Sequence, residues 1–541
     1  MKKIRRNRPG LSQGARRGAA GVSTLLALSS LAALSGCSVG PDFVASAAPD
    51  VNGYTAEKLG GTSSTTGVGG SAQRFVKDMD IPGQWWTLFH SKALNRLIET
   101  ALVNNHDLKA AEAALKVTKE AVEAQKGFFY PTITGTPNAY RSLQATGTVA
   151  PFLSNNASVY NLYTPQVNVS YSPDIFGLNR RTVESLQAQA DMQRFQTEAA
   201  YLTLTSNIVL GAVQEASLRG QLEATKKAIK TMQDLLVVIK QEKALGQAAV
   251  ADVATQEAAL AAALATLPVL EKELAQQRNL LTALTGGLPS EPVSETFELA
   301  SLHLPEKLPV SLSAKLIEQR PDIRAAEENL HSAAALVGVS IANRLPTLSI
   351  TGNAGTTAST LAGLFVPGNY FWTYGAELAG TFFDGGTLMH REAGAEAAFR
   401  QADEQYKSTV VTAFQNVADS LRAIQHDADG LKVAVFAEAA AKKSLDIVLA
   451  QRKLGQVAQI LVLQAEQIYL NAVVNRVQAQ AMRYSDTAAL FQALGGGWWN
   501  RPGELARVDT YAKPDIFPID KLYPGPQQEV KSSDYTIVKP N

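Results

Sequence analysis

Residues 179–245 read NRRTVESLQAQADMQRFQTEAAYLTLTSNIVLGAVQEASLRGQLEATKKAIKTMQDLLVVIKQEKAL. Ala, Gln, Leu and Glu dominate these 67 positions, a composition that favours extended helix. A continuous helix of this length spans roughly 100 Å at about 1.5 Å per residue. It does not fit inside one compact domain. It must lie lengthwise on others, as in a coiled coil or a helical tube. The stretch ends in Leu245-Gly246-Gln247. Glycine there predicts a helix C-cap at Gly246 and the tip of a helical hairpin. A returning helix follows from Val250 to Leu284, where Pro268 predicts a kink.

The same plan recurs downstream. A long helical stretch runs from Thr387 to Leu454, the break Leu454-Gly455-Gln456 makes Gly455 a second cap, and a return follows from Gln459 to Leu494. His106-Asp107-Leu108-Lys109-Ala110-Ala111-Glu112 is matched 215 positions later by Pro321-Asp322-Ile323-Arg324-Ala325-Ala326-Glu327. Pro131-Thr132-Ile133 and Pro346-Thr347-Leu348 keep that offset. The two Leu-Gly-Gln tips and the endings Gly286-Gly287 and Gly495-Gly496 lie 209 apart. Matches that keep order and offset indicate one duplicated unit. Each copy opens with a helix, Leu94 to Lys126 and Ser313 to Asn343, on apolar spacings of 3 and 4 such as Leu94, Leu97, Ile98, Ala101 and Leu102.

Between the opening helix and the long helix the period changes to 2. In 166–171, Val167, Val169 and Tyr171 share one face and Gln166, Asn168 and Ser170 the other. In 374–382, Tyr374, Ala376, Leu378 and Phe382 oppose Glu377 and Thr381. Partner strands are expected to start near Thr132 and Thr347. Aromatic residues cluster at the expected strand ends: Phe128, Phe129 and Tyr130; Tyr160 and Tyr163; Tyr370, Phe371 and Trp372. This alternation suits a transmembrane barrel with a wet lumen. A soluble two-sheet sandwich alternates in the same way. Two strands per copy make about four per chain. Four cannot close a barrel, and lipid does not tolerate open edges. Two chains would supply eight strands, whose interior side chains fill. Three would supply twelve, enough for a channel.

The 541 residues exceed what one core serves. Fifty Lys and Arg balance 49 Asp and Glu, so charge makes no case for nucleic acid. Cys37 is the sole cysteine, which excludes an intramolecular disulfide. It follows a basic start, an apolar run from Val22 to Leu34 and Leu34-Ser35-Gly36. The run is too short to span a bilayer and has the layout of an export signal. No other stretch is expected to reach the ~20 apolar residues of a transmembrane helix. His90, His106, His303, His331, His390 and His426 show no metal-ligand spacing, and neither a phosphate loop nor a nucleophile elbow is present. No enzyme is expected. Asp107 and Asp322 read as helix-start residues.

Leu34-Ser35-Gly36-Cys37 resembles the lipobox of bacterial lipoproteins, which implies cleavage before Cys37 and a diacylglycerol and N-acyl lipid on it. Ser38 after it implies outer-membrane retention. The chain from Cys37 to Trp499 resembles the TolC-like outer-membrane efflux channels, in their NodT-type lipoprotein branch. Cys37-Ser38-Val39-Gly40-Pro41-Asp42-Phe43, Trp85-Trp86-Thr87-Leu88-Phe89, Gln319-Arg320-Pro321-Asp322-Ile323, Asp174-Ile175-Phe176-Gly177 with Phe383-Asp384-Gly385-Gly386, and Ala493-Leu494-Gly495-Gly496-Gly497-Trp498 carry the likeness. The resemblance implies an α+β membrane protein: a trimeric 12-stranded transmembrane β-barrel continuous with a long periplasmic α-helical barrel and a mixed equatorial belt. It implies a homotrimer working with a periplasmic adaptor and an inner-membrane pump of the resistance-nodulation-division (RND) type. Type I protein export shares this architecture. A periplasmic coiled-coil scaffold lipoprotein is the reading from another class.

The division that follows is a signal at 1–36, a lipidated equatorial segment at 37–93, repeats at 94–287 and 313–497 joined by 288–312, and a tail at 498–541. The run Gly60 to Ser71 reads as a linker or loop. In the family, aspartates at the second hairpin tip form an acidic iris. Here Asp252 of the first copy is replaced by Leu461 in the second, and the next iris position is Gln464. A hydrophobic ring of Leu461 that gates by dewetting is expected instead, with Arg452, Gln456 and Gln459 beside it.

Overall fold

A computed structural model of the chain describes residues 38–45, 51, 53–57, 59–143, 159–310 and 313–501. Cys37, the signal and the tail beyond Arg501 lie outside the described residues. In chain order the first copy runs β1 (Arg74–Lys77), α1 (Lys92–Asn104), α2 (His106–Lys126), β2 (Thr132–Leu143), β3 (Val159–Tyr171), α3 (Leu178–Ala244) and α4 (Val250–Leu284). The second runs β4 (Lys307–Val310), α5 (Ser313–Gln319), α6 (Pro321–Ala342), β5 (Thr347–Thr356), β6 (Tyr370–Ala379), α7 (Thr387–Lys453) and α8 (Gln459–Ala493).

The long helices are continuous: α3 and α7 each hold 67 residues, and the returns α4 and α8 each hold 35. Pro268 sits inside α4 without ending it. The first tip closes with Gln247 N donating to Glu242 O and Gly246 N to Lys243 O. The second repeats this, Gln456 N to Gln451 O and Gly455 N to Arg452 O. Both are Schellman closures, which need a residue with positive φ after the helix. Gly246 at +73° and Gly455 at +71° supply it.

The opening helix of each copy is two helices, which corrects the single helix read from spacing. The first breaks at Asn105, whose Oδ1 accepts from Leu108 N at 2.9 Å. The second breaks at Arg320, held extended by the following proline. The two residues are repeat equivalents and do one job. Asn105 Nδ2 donates to Leu284 O at 3.0 Å and Arg320 Nη1 to Ala493 O at 2.8 Å, each satisfying a carbonyl at the end of its own returning helix. Asp107 and Asp322 stand in the first turns of α2 and α6, as expected of helix-start residues.

β1 and β4 pair in parallel, Arg74 opposite Lys307. Near them Trp85, Trp86 and Phe89 are fully buried in one short 3-10 turn. Trp85 stacks on Phe491 of α8 at 5.4 Å, and Trp86 meets Tyr201 of α3 at 6.2 Å. Gly496 lies so close that a Cβ there would stand 2.3 Å from Leu202. The opening Trp-Trp motif and the closing Gly-Gly-Gly motif therefore share one core. The Gly60–Ser71 run is no free linker. Buried Arg483 of α8 donates to Thr62 Oγ1 and to the Gly69 and Ser71 carbonyls, which fastens the run to the helices. One further expectation fails: α4 is long and apolar enough to cross a membrane, though little of it is buried in the chain. Its alanine-rich surface is available to a neighbouring helix.

Candidate functional site

β2, β3, β5 and β6 form one antiparallel sheet in that order. Strand starts at Thr132 and Thr347 agree with the alternation. β6 ends at Ala379, so Phe382 stands beyond the strand and is fully exposed. The register sorts the residues into two faces. Ile133, Val167, Val169, Tyr171, Ile350, Trp372, Tyr374 and Leu378 lie on one. Thr134, Thr136, Gln166, Asn168, Ser170, Thr351 and Asn353 lie on the other. On the polar face Gln166 donates to Asn168 Oδ1 and Asn168 to Thr136 Oγ1, both at 3.0 Å. The apolar face is uncovered: Ile133 is 69% and Trp372 69% exposed. Exposed apolar surface on this scale marks contact with lipid or protein.

Aromatic residues band the sheet at both ends. Phe128, Tyr130, Phe382 and Phe383 are exposed where the helices meet it, and Tyr370, Trp372 and Tyr374 are exposed toward the opposite end. Trp372 and Tyr374 stack at 5.5 Å. Asp174 and Asp384 turn the strands into the long helices. Asp174 accepts from Asn179 N and Arg180 N at 3.0 and 2.9 Å, and Asp384 from Leu388 N at 2.7 Å. Each carboxylate meets the free N–H groups and positive end of a helix. These motifs are therefore the joints that set the sheet on the hairpins.

Ser38–Phe43 is strapped to this joint. Val39 N donates to Phe176 O at 3.2 Å. Buried Arg181 of α3 donates to Val39 O, Gly40 O and Asp42 Oδ1 at 3.1, 3.2 and 2.8 Å. Gly40, at φ +95°, lies against Gly338, and a Cβ there would come within 2.4 Å of that backbone. Phe43 stacks on His331 at 4.5 Å, between Glu184 and Glu328, which raise the His331 pKa by hydrogen bonding to the protonated ring. The residue after Cys37 is thus held where sheet and helices join.

At the tips the structure divides the expected residues. Arg452 of α7 forms an ion pair with Glu242 of α3 at 2.8 Å, and its Nε donates to Gln459 Oε1 at 3.1 Å. Gln459 donates to Gln256 of α4 at 3.0 Å, and Gln256 to Met232 O at 3.2 Å. Arg452 and Gln459 therefore clasp the second hairpin to the first. Glu242 and Gln256 complete the clasp, although sequence reading did not single them out. A glutamine amid the apolar 250–263 run was the available signal. Leu461, 44% exposed, and Gln464 stand outside the clasp, and Gln456 is exposed at the tip. Asp252 accepts from Ala249 N at 3.1 Å and so caps α4.

A two-faced strand sheet, banded by aromatics and jointed to helices roughly 100 Å long, is the build of one subunit of a membrane channel. The family model described as outer membrane efflux protein matches both copies, over residues 97–287 and 312–496. The chain belongs to the outer membrane efflux protein family. It is 26% identical over 493 residues to the antibiotic efflux pump outer membrane protein ArpC of Pseudomonas putida, covering 88% of this chain and 96% of that one. It is 24% identical over 465 residues to the cation efflux system protein CusC of Escherichia coli K12, covering 86% and 97%. Among solved structures, the outer-membrane channel OprN matches with a TM-score of 0.75 at 24% identity, over 85% of this chain and all of that one. The Campylobacter jejuni CmeC outer membrane channel matches with a TM-score of 0.75 at 21% identity, over 87% and 98%. The chain is an efflux-system channel protein of the cell outer membrane.

Proposed function

We propose that three copies of this chain close a twelve-stranded barrel in the outer membrane, with their helical hairpins forming a tube below it. The observation that carries this reading is the four-stranded sheet, whose edges β2 and β6 have no partner strand among the described residues. Its exposed apolar face suits lipid and its polar face a wet lumen. Unpaired strand edges at membrane depth demand partners, and further copies of the same sheet supply them. The exposed apolar surface of α4 is the matching seam in the helical part.

The duct conducts passively and does no chemistry. Its partners are a periplasmic adaptor and an inner-membrane pump of the RND type, and the pump selects the cargo. Relatives are named for antibiotic, toluene and cation efflux, so small toxic molecules are the class proposed. Lipid on Cys37 completes the anchor. One residue on, Ser38 packs against Gly177 at the sheet–helix joint, which supports an anchor at that level. Single-channel recording of the purified protein in planar bilayers, with its mass measured in detergent, tests the reading. Discrete conducting steps from a trimer support it. A folded protein that is monomeric and silent overturns it in favour of a scaffold.

A further inference from the structure

Glu466 of α8 is 4% exposed, and neither carboxylate oxygen has a hydrogen-bond partner among the described residues. Burying such a group without a partner costs several kcal/mol. The first copy shows what is missing. Its equivalent, Glu257 of α4, pairs with Lys240 of α3 at 2.7 Å across the hairpin. The repeat equivalent of Lys240 is Leu449. The second hairpin has kept the acceptor and lost the ammonium.

Glu466 and Leu449 both line a cavity of about 870 Å³ between α3, α7 and α8, with Met232, Leu445 and Leu470 on its walls. Cations on the same walls are engaged elsewhere: Lys226 with Glu271 at 3.2 Å, Lys442 with Asp446 at 3.4 Å, Arg219 with Glu215 at 2.7 Å, and Arg476 with Glu438. Lys227 and Glu223 are exposed to solvent. Burial accordingly pushes the Glu466 carboxyl up to about 7.

We propose that this cavity binds a small primary alkylammonium compound, whose charged end takes at Glu466 the place that Lys240 takes at Glu257. The methylene chain lies on Leu445, Leu449 and Leu470. The class follows from the chemistry: one deeply placed carboxylate and the leucines beside it.

The experiment is isothermal titration calorimetry on the purified full-length protein in detergent, at a pH of about 8 where the carboxylate is ionised. The probes are n-butylammonium and 1,5-diaminopentane. Wild type is expected to bind one equivalent per protomer. Glu466→Gln, which removes the buried charge and leaves the packing, is expected to weaken binding at least tenfold. Leu449→Lys supplies the ammonium from within and is expected to abolish binding. Glu99→Gln, at an exposed carboxylate of α1 away from the cavity, is expected to bind as wild type. Unaltered affinity in a folded Glu466→Gln protein overturns the proposal, as does wild type without saturable binding into the millimolar range.

Discussion

Replacing Arg452 by alanine removes the clasp that holds the second hairpin tip against the first. The Arg452–Glu242 pair is partly shielded, with side chains 19% and 31% exposed, so its contribution is about 1 kcal/mol. The charge-assisted bond from Arg452 Nε to Gln459, at the low end of its range for a partly exposed donor, adds about 1.5 kcal/mol. Gln459 is 2% exposed and Gln256 fully buried, so the amide left behind has poor access to water in place of the lost donor. The loss therefore comes to roughly 2–3 kcal/mol per protomer, or about 30- to 140-fold in the clasped-to-free equilibrium at about 1.4 kcal/mol per tenfold. In single-channel recordings Arg452→Ala is expected to raise open probability steeply. Glu242→Gln is expected to fall between wild type and Arg452→Ala, because it keeps an oxygen acceptor and loses only the charge. Arg452→Ala channels that assemble normally and open no more often than wild type would refute the clasp as the element holding the tip closed.

Three other outcomes are expected. Leu461→Ser is expected to enlarge or prolong openings without lowering thermal stability, since Leu461 makes no part of the clasp and is 44% exposed; pores unaltered by the serine remove the hydrophobic ring. Glu466 has a folded-state pKa raised from 4.5 to about 7. Its contribution is therefore fully present below about pH 4.5 and is lost as pH rises through about 7, by about 3 kcal/mol. Wild type is expected to lose more Tm between about pH 5 and pH 8 than Glu466→Gln, and parallel pH profiles would contradict this. Asn105→Ala removes a helix cap on α2 and a hydrogen bond to Leu284 O, so it is expected to destabilise by about 1–3 kcal/mol in denaturant titrations. An unchanged unfolding midpoint would show that the cap is idle.

The duplication, the long helices, the hairpin tips and the strand starts were legible in the sequence because each is a local signal. Helix length follows from composition and spacing, a tip from one glycine, a strand from alternation. The break at Asn105 escaped because apolar spacing runs on through it; the Asn105 side chain caps α2 locally and also satisfies a carbonyl at the far end of α4, 179 residues away. The Gly60–Ser71 run read as a linker or loop from its composition, and its fastening by Arg483, 412 to 421 residues on, was not legible there. For the tips, Arg452 and Gln459 were legible as neighbours of the expected gate. Glu242 and Gln256 became visible only when the two hairpins lay side by side. The same holds for Glu466. Its sequence shows a glutamate among many, and only the paired hairpins show that its counterpart has a lysine across from it and that it has a leucine. What the sequence determined by itself is what neighbouring residues dictate to one another through backbone periodicity. What the tertiary structure decided is which buried polar groups meet partners, because that depends on contacts between residues hundreds of positions apart.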